Sequence, residues 1–454
     1  MNVVVIGTGY VGLNTAAALA YIGHSVHGID LDENKLHSLN VLHKAPISEV
    51  GLNELLSLNL NLSFSDDYSK ILDSDVAFIT VGTPSNPDGS ADLSYIYSVV
   101  ESITKVLSTS TLDHDLTLVV KSTVPFGVNA KIERMIRSKL SEDINDNLYF
   151  ASNPEFLREG TALLDTFYPD RIVIGSADDE AISTLESLYR PLLSRSFSKP
   201  SFVDNSFIPS NFPKLLVTDQ ISAEMIKYAS NVFLALKISY ANEISGLANL
   251  LGANMHDISK GMGMDKRIAP YFLNPGLGWG GSCFPKDSLA LLSIGKDYNY
   301  SLPIVQAAVD VNNSQTDKLI SKIQSKLHTL HGKRIAVFGI TFKPNTDDVR
   351  NSLSISLCKK LRALGADVVV TDPQGLENAK VIYKDEGFIF CNSPEDAALD
   401  SDAIVIATDW KEYKDLKWNK IAVLMRSEDS RFLFDARNVL YGSHYQICFK
   451  YDHL

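Results

Sequence analysis

Residues 2–30 combine a short apolar strand, a glycine-spaced turn, a helix and a second strand that ends on an acid. Asn2–Ile6 reads as the strand and Val11–Ile22 as the helix, with Gly23 as its C-terminal cap. Ser25–Ile29 is the second strand, and Asp30 follows it. Between the first strand and the helix lies Gly7-Thr8-Gly9-Tyr10-Val11-Gly12, a GxGxxG. Glycine-rich turns are common, and the motif alone says little. Its value here is the strand before it, the helix it opens and the acid that follows. Gly7 permits the tight turn. Gly9 lets the backbone approach a pyrophosphate held at the helix N-terminus, and Gly12 lets helix and strand pack closely. Asp30 can accept both ribose hydroxyls of an adenosine and would repel a 2′-phosphate, which favours NAD over NADP. A strand–helix–strand unit that binds nothing is the alternative, and the complete context argues against it.

The same alternation continues along the chain. Val76–Val81, Leu116–Lys121 and Leu148–Ser152 read as strands, and Tyr95–Leu107 and Asn129–Leu140 as helices. Strands alternating with helices imply a parallel sheet covered on both faces. The pattern changes near residue 215. Ile221–Leu251 has no proline, Gly246 is its only glycine, and apolar residues recur at helical spacing. A helix that long usually spans domains or an oligomer interface. Strand–helix alternation then restarts with Arg334–Phe338, Ser354–Leu364 ending at Gly365, Asp367–Thr371 and Ala403–Ala407. After its first strand this region reads Gly339-Ile340-Thr341-Phe342-Lys343 and lacks a GxGxxG, so no second dinucleotide is expected there. The expected fold is α/β, with two Rossmann-like doubly wound domains joined by a long central helix. The expected division is 1–214, 215–315 and 316–454. Residues 195–215 hold Phe197, Phe202, Phe207 and Phe212, five apart, which suits neither helix nor strand. This connector is expected to be an ordered surface excursion.

The 454 residues suit about three domains. A formal net charge of −12 provides no general field for phosphate backbones, so nucleic acid is not an expected partner. Cys283, Cys358, Cys391 and Cys448 form no CxxC and have no clustered histidines, so no metal site is expected. Such sparse cysteines point to a reduced, cytoplasmic setting. The apolar N-terminus lacks a basic leader and is broken by glycines, so a signal peptide is not expected. No apolar run reaches about 18 residues, and no membrane span is expected.

A second candidate site lies in Asn274–Asp287, NPGLGWGGSCFPKD. Glycines crowd ahead of Cys283, so the backbone can wrap a ligand and present the thiol, and Lys286 can favour its thiolate. By residue type alone Cys283 would be an inert packing residue. The glycine density with Lys286 and Asp287 shifts the balance towards chemistry. Glu155 and Glu159 would share a face if Asn153–Glu159 were helical, and Lys227 and Asn231 are four apart on the long helix. Spacing alone leaves both pairs open to being solvated surface.

At this point the residues resemble a known family, the UDP-glucose dehydrogenases within the wider nucleotide-sugar dehydrogenases. The resemblance runs through GTGYVG, VGTPSNPDGSAD at 81–92, KSTVPFG at 121–127 and SNPEFLREG at 152–160. It continues through SAEMIKYASNVFLALKISYANEI at 222–244, GGSCFPKD at 280–287, GITFKPNTDDVRNS at 339–352 and FDARN at 434–438. It implies a cytoplasmic homodimer that oxidises UDP-glucose to UDP-glucuronate with two NAD, through a thiohemiacetal and a thioester on Cys283. It further implies Glu155 as the base for thioester hydrolysis, Lys227 as the group stabilising oxyanions or moving the alcohol proton, Asn231 as a hydrogen-bond donor to the developing oxyanion, and Asp287 and Thr123 as positioning water. The positions matched for NAD are Gly7, Gly9, Tyr10, Val11, Gly12, Asp30, Lys35, Thr83, Thr123, Glu159 and Arg350. Those matched for the sugar nucleotide are Glu155, Phe156, Leu157, Arg158, Glu159, Lys227, Asn231, Arg267, Phe272, Asn274, Gly276, Gly280, Lys343 and Arg437. In the family the residue matching Arg267 reaches in from a second subunit. Leu277 departs from the aromatic residue that the family more often carries there, and the 195–215 connector is longer than usual. The same chemistry on GDP-mannose or a UDP-N-acetylhexosamine is the alternative. A binding-only protein would need no aligned nucleophile, and a simple 3-hydroxyacid dehydrogenase would need no second α/β domain.

Overall fold

The computed structural model describes residues 1–428, 431–443 and 448–454. The chain divides into two compact units, Met1–Ala229 and Ser230–Leu454. The helix Gln220–Leu251 runs unbroken through the point of division.

The first unit is built on eight strands. They are β1 (Asn2–Ile6), β2 (Ser25–Ile29), β3 (Leu62–Ser65), β4 (Val76–Ile79), β5 (Leu116–Val120), β6 (Leu148–Ser152), β7 (Arg171–Gly175) and β8 (Lys214–Thr218). The sheet order is β3-β2-β1-β4-β5-β6-β7-β8. Neighbours run parallel except β6 and β7, which meet antiparallel at Ser152 and Gly175. β4 and, but for Thr117, β5 are apolar, and both are wholly buried, as strands covered on both faces must be. Alternate residues of β1 serve opposite cores. Val3 and Val5 pack with the helices Tyr10–Tyr21 and Asp179–Ser194, and Val4 and Ile6 with Ser94–Ser108 and Val128–Arg137. β1, β2 and β3 build outward in one direction and β4 starts the other, so the carboxyl ends of β1 and β4 border the switch point where such sheets hold ligands.

The connector is less superficial than its spacing implies. Phe197 and Phe202 pack on Phe167, with ring centroids 5.6 and 6.4 Å away, while Phe207 and Phe212 are exposed. Two of the four phenylalanines therefore extend the core, and the segment leads directly into β8.

The second unit carries β9 (Arg334–Phe338), β10 (Asp367–Thr371), β11 (Ile389–Phe390), β12 (Ala403–Ile406), β13 (Phe432–Asp435) and β14 (Lys450–His453). Among the described residues they form one parallel sheet in the order β11-β10-β9-β12-β13-β14. Ile335 and Val337 face one core, and Ala336 and Phe338 the other, where Trp410 and Trp418 are fully buried. The α/β fold with two doubly wound sheets and a long central helix is as the sequence predicts. No helix among the described residues is long and apolar enough to cross a membrane.

Candidate active site

In the first unit, the candidate residues follow the carboxyl ends of β1, β2, β4, β5 and β6. Gly7 leaves β1 with φ +96°, and a Cβ on Gly12 would lie 1.9 Å from the Gly7 carbonyl oxygen. Packing alone therefore demands Gly12. Gly9 differs: a Cβ there would meet no protein atom within 4 Å. Open space beside the first helical amides is what an approaching pyrophosphate requires. At the end of β2, Asp30 Oδ2 accepts from the Thr8 amide (2.8 Å), the Thr8 hydroxyl (2.7 Å) and Lys35 Nζ (3.2 Å). Its Oδ1 accepts from the Asp32 amide at 3.0 Å. Burial pushes the carboxyl up, but these donors and the Lys35 charge outweigh it and hold Asp30 below its usual range. The site thus offers a fixed anionic acceptor next to the open turn, which fits a dinucleotide with a free 2′-hydroxyl.

The loops after β4 and β5 are joined by the Thr83 hydroxyl, which donates to the Thr123 carbonyl at 2.8 Å. After β6 the chain does not turn helical. Residues 153–158 are irregular, and the next helix is Ala162–Phe167. Glu155 and Glu159 therefore do not share a helical face. The cause is the anchoring of Asn153, which leaves no regular turn to start. Its Nδ2 donates to the Val173 carbonyl (2.7 Å), and its Oδ1 accepts from Lys121 Nζ (2.9 Å) and the Tyr189 hydroxyl (2.6 Å). Pro154 follows it with no amide to donate.

Glu155 instead turns inward. Its Oε1 accepts from Lys227 Nζ at 2.7 Å and its Oε2 from the Leu157 amide at 2.5 Å. The two charged side chains are 9% and 4% exposed. Burial pushes the Glu155 carboxyl up, yet the Lys227 charge and hydrogen bond, the Leu157 amide and the Lys121 charge leave it below its ordinary value. Burial also lowers Lys121 to about 8, with Glu155 opposing and Lys227 reinforcing that shift. Phe156 lies under two cations, with the Arg171 guanidinium 3.8 Å and Lys227 Nζ 5.5 Å from its ring centroid.

In the second unit, Cys283 caps the N-terminus of the helix Phe284–Asp297 and has Ser282 Oγ 3.5 Å from its sulfur. The first amides of a helix favour a thiolate. Lys286, expected to supply that influence, donates to Asp287 Oδ1 at 2.7 Å. Asp287 is fully buried, and its Oδ2 accepts from Asn231 Nδ2 at 2.6 Å. The glycine loop ahead of Cys283 is held by its backbone. Asn242 accepts the Gly276 amide, Asn312 bonds both amide and carbonyl of Trp279, and Arg437 Nη1 donates to the Gly278 carbonyl at 2.9 Å. A cavity of about 840 Å³ opens beside this loop, lined by Phe272, Asn274, Pro275, Arg437, His256 and Tyr441 among others. Its size suits a nucleotide-sized ligand.

Residues 1–193 match the NAD binding domain of the UDP-glucose/GDP-mannose dehydrogenase family, 221–314 its central domain and 336–442 its UDP binding domain. The chain belongs to that family. It is 41% identical over 442 residues to a UDP-glucose 6-dehydrogenase of Bacillus subtilis, covering 96% of this chain and 93% of that one. It is 40% identical over 448 residues to a UDP-glucose 6-dehydrogenase of Rhizobium meliloti, covering 97% and 95%. The solved structure of a UDP-glucose dehydrogenase from Pyrobaculum islandicum superposes with a TM-score of 0.86 at 35% identity, covering 99% of this chain and 96% of that one.

In this UDP-glucose/GDP-mannose dehydrogenase family member, the expected residues fall into several contacting sets. Asp30 meets Lys35, Thr83 meets Thr123, and Glu155 meets Lys227. Asn231 meets Asp287, and Arg437 meets the glycine loop. Others are engaged elsewhere. Arg158 pairs with Asp165, Arg267 forks onto Asp265 and Arg350 onto Asp348, all three arginines being exposed. Lys343 Nζ stands 5.5 Å from the ring of its neighbour Phe342. Leu277, the departure from the family pattern, is fully buried in the second unit's core. Sequence reasoning missed Lys121 as a buried partner of the Glu155 site, though its place at the end of β5 was a usable signal. It also missed the stacked pair His256–Tyr441 in the cavity wall (ring centroids 5.6 Å apart), which no motif announces.

Proposed function

We propose that this protein oxidises UDP-glucose to UDP-glucuronate, with two NAD reduced and one water consumed per sugar. The observation that carries this reading is the buried Glu155–Lys227 pair, whose Glu155 follows the carboxyl end of β6 in the same sheet whose β1 leads into the glycine turn. Burying two charges is expensive, and a pair kept so deep in a dinucleotide-type domain suits proton and oxyanion chemistry. The division into an NAD-binding part (1–214), a central part (215–315) and a UDP-sugar-binding part (316–454) follows this assignment.

Bound NAD supplies the hydride acceptor for both oxidations. In the first oxidation the C6 hydroxyl gives its proton to water and its carbon loses hydride, leaving the aldehyde, while Lys227 and Asn231, both donors, stabilise the negative oxygen that develops. Cys283 adds as thiolate to the C6 aldehyde, and the carbonyl electrons move to oxygen. Hydride loss from that adduct restores the carbonyl as a thioester. Thr123 and Asp287 hold the attacking water, and Glu155, ionised at neutral pH, takes its proton. The C–S bond then breaks and returns Cys283 as thiolate. Glu159, Arg158, Phe272, Asn274, Gly276, Gly280, Lys343, Arg267 and Arg437 hold the nucleotide sugar, and Arg350 assists NAD. Counting NADH formed per UDP-glucose consumed tests the reading. Two is expected, with UDP-glucuronate as product. One NADH, or turnover only with another nucleotide sugar, overturns it.

The active form is proposed to be a cytoplasmic homodimer. Ile221, Met225, Phe233, Tyr240 and Leu247 leave exposed apolar side chains along the central helix, the last three seven residues apart. Such a stripe calls for a cover. Sedimentation should give twice the chain mass, and Phe233→Asp should dissociate it.

A further inference from the structure

One buried carboxylate of the first unit has no role in the scheme above. Glu49 lies in an irregular stretch just before the helix Leu52–Ser57, and its side chain is turned into the protein. Its Oε1 accepts the Ala162 amide at 2.8 Å, and its Oε2 accepts the Gly160 amide at 2.9 Å and the Tyr10 hydroxyl. The Tyr10 oxygen accepts the same Gly160 amide at 2.7 Å. One N–H is therefore shared between a phenol and a carboxylate that also bond each other.

The two things tied together are the candidate ligand elements. Tyr10 is the first residue of the helix that opens from the glycine turn. Gly160, with φ +81°, ends the segment carrying Glu155 and Glu159. The knot bridges chain positions 150 and 111 residues apart. Its donors to Glu49 are amides and a hydroxyl, a costly way to bury a carboxylate when an apolar side chain would pack as well. Burial pushes the Glu49 carboxyl up, and burial with the neighbouring Glu49 charge pushes the Tyr10 phenol up as well. The hydrogen-bond geometry, which ties the turn to the loop, is the reason to retain so expensive an arrangement.

We propose that Glu49 is a positioning residue that couples occupancy of the dinucleotide turn to the placement of the Asn153–Gly160 loop. This rests on the reading of the turn as the NAD site and of the loop as part of the sugar-nucleotide site. A pyrophosphate at the helix N-terminus fixes Tyr10 in its position against Glu49. Fixed Tyr10 and Glu49 hold the Gly160 amide, and with it the end of the loop. Coupling of this kind is a ratio of affinities, and it is reciprocal.

The test measures UDP-glucose binding by calorimetry with and without saturating ADP-ribose, which occupies the turn but cannot react. In the unaltered protein ADP-ribose should tighten UDP-glucose binding by about fivefold or more. Glu49→Gln and Tyr10→Phe should each bring that ratio close to one. The double variant should lose no more than either single one, because all three break one path. Tyr10→Phe keeps the ring and guards against a Glu49 variant that folds poorly. A ratio of one in the unaltered protein, or a ratio preserved in the folded variants, overturns the role of Glu49. NADH per UDP-glucose separates the two readings. A protein yielding two NADH without coupling loses only the Glu49 assignment, and one that binds no UDP-glucose loses both.

Discussion

Lys227 Nζ lies 2.7 Å from Glu155 Oε1, and both side chains are almost wholly withdrawn from solvent. A pair this deep must be satisfied from several sides, because either charge left alone is strongly unfavourable. Lys121 and the Leu157 amide supply the remaining compensation on the Glu155 side. The pair is thus a structural commitment of the first unit, and the proposed function makes it a chemical one as well.

Lys227→Met should remove the main compensation and leave Glu155 buried without its cation. The expected loss is about 3 kcal/mol or more of folding stability at neutral pH. Glu155 is held below its ordinary value of 4.5 in the fold. A depressed carboxylate contributes stability that is present above the unfolded pKa and lost as pH falls through the folded one. The stability gap between the native protein and Glu155→Gln should therefore shrink as pH falls below about 4.5. Denaturant unfolding at a series of pH values measures both; a gap independent of pH contradicts the assigned pairing.

Lys121 gives a pH dependence of the same sign in a more alkaline window. Burial lowers it from 10.5 to about 8, so between those values the unfolded chain binds more protons than the folded one. Its contribution to stability therefore rises with pH across that window and is flat below about 8. Lys121→Met should abolish this rise and only weaken the Glu155 effect at low pH, since Lys227 is the larger cause of that one. The check is the slope of unfolding free energy between pH 8 and 10 in the two proteins.

Asp30 should make the enzyme discriminate against NADP by about 100-fold or more in kcat/KM, since an ionised carboxylate would lie against the 2′-phosphate. Asp30→Asn should narrow the gap. It should also weaken NAD binding, because Asp30 holds Thr8 of the turn through two hydrogen bonds. Steady-state kinetics with both cofactors decide this; equal efficiency in the native protein rules out the role of Asp30.

What the sequence allowed to be read was local. The glycine turn, its helix and Asp30 fall within one strand–helix–strand unit, and each neighbour confirms the others. β1, β2, β6, β9 and β10 have the residue bounds that their apolar runs predict. β7 and β8 were not legible, because their parallel pairing is made across a helix and the whole connector. Likewise Phe197 and Phe202 are intelligible only once Phe167 stands between them. Glu155 and Lys227 were each readable as candidates, but not their pairing across 72 residues. The helical turn on which Glu155 and Glu159 would share a face does not form, because the Asn153 side chain, fastened to three elements, sets the path of the chain there. Glu49 had no signal at all, since nothing in its neighbourhood marks a carboxylate that will accept amides 111 and 113 residues away.

A Cys283→Ser variant is expected to separate the two proposed oxidations. Cys283 heads the helix Phe284–Asp297 and precedes Asp287, whose buried carboxylate is held by Asn231 and Lys286. If its thiolate is needed only after the aldehyde has formed, Cys283→Ser should still fold and bind NAD and UDP-glucose. Serine is nearly the same size, but its hydroxyl keeps its proton at neutral pH and is a far weaker nucleophile. Steady-state NADH formation should fall by about 10⁴-fold or more, the scale seen when a covalent catalyst is removed. Glu155→Gln should fail later, with the sugar already joined to Cys283 as thioester and no base to activate water. Intact-protein mass spectrometry after exposure to UDP-glucose and NAD should then show an adduct on Glu155→Gln that is absent from the Glu155→Gln, Cys283→Ser double variant. Near-normal turnover by Cys283→Ser would make Cys283 a packing residue and remove the thioester from the mechanism.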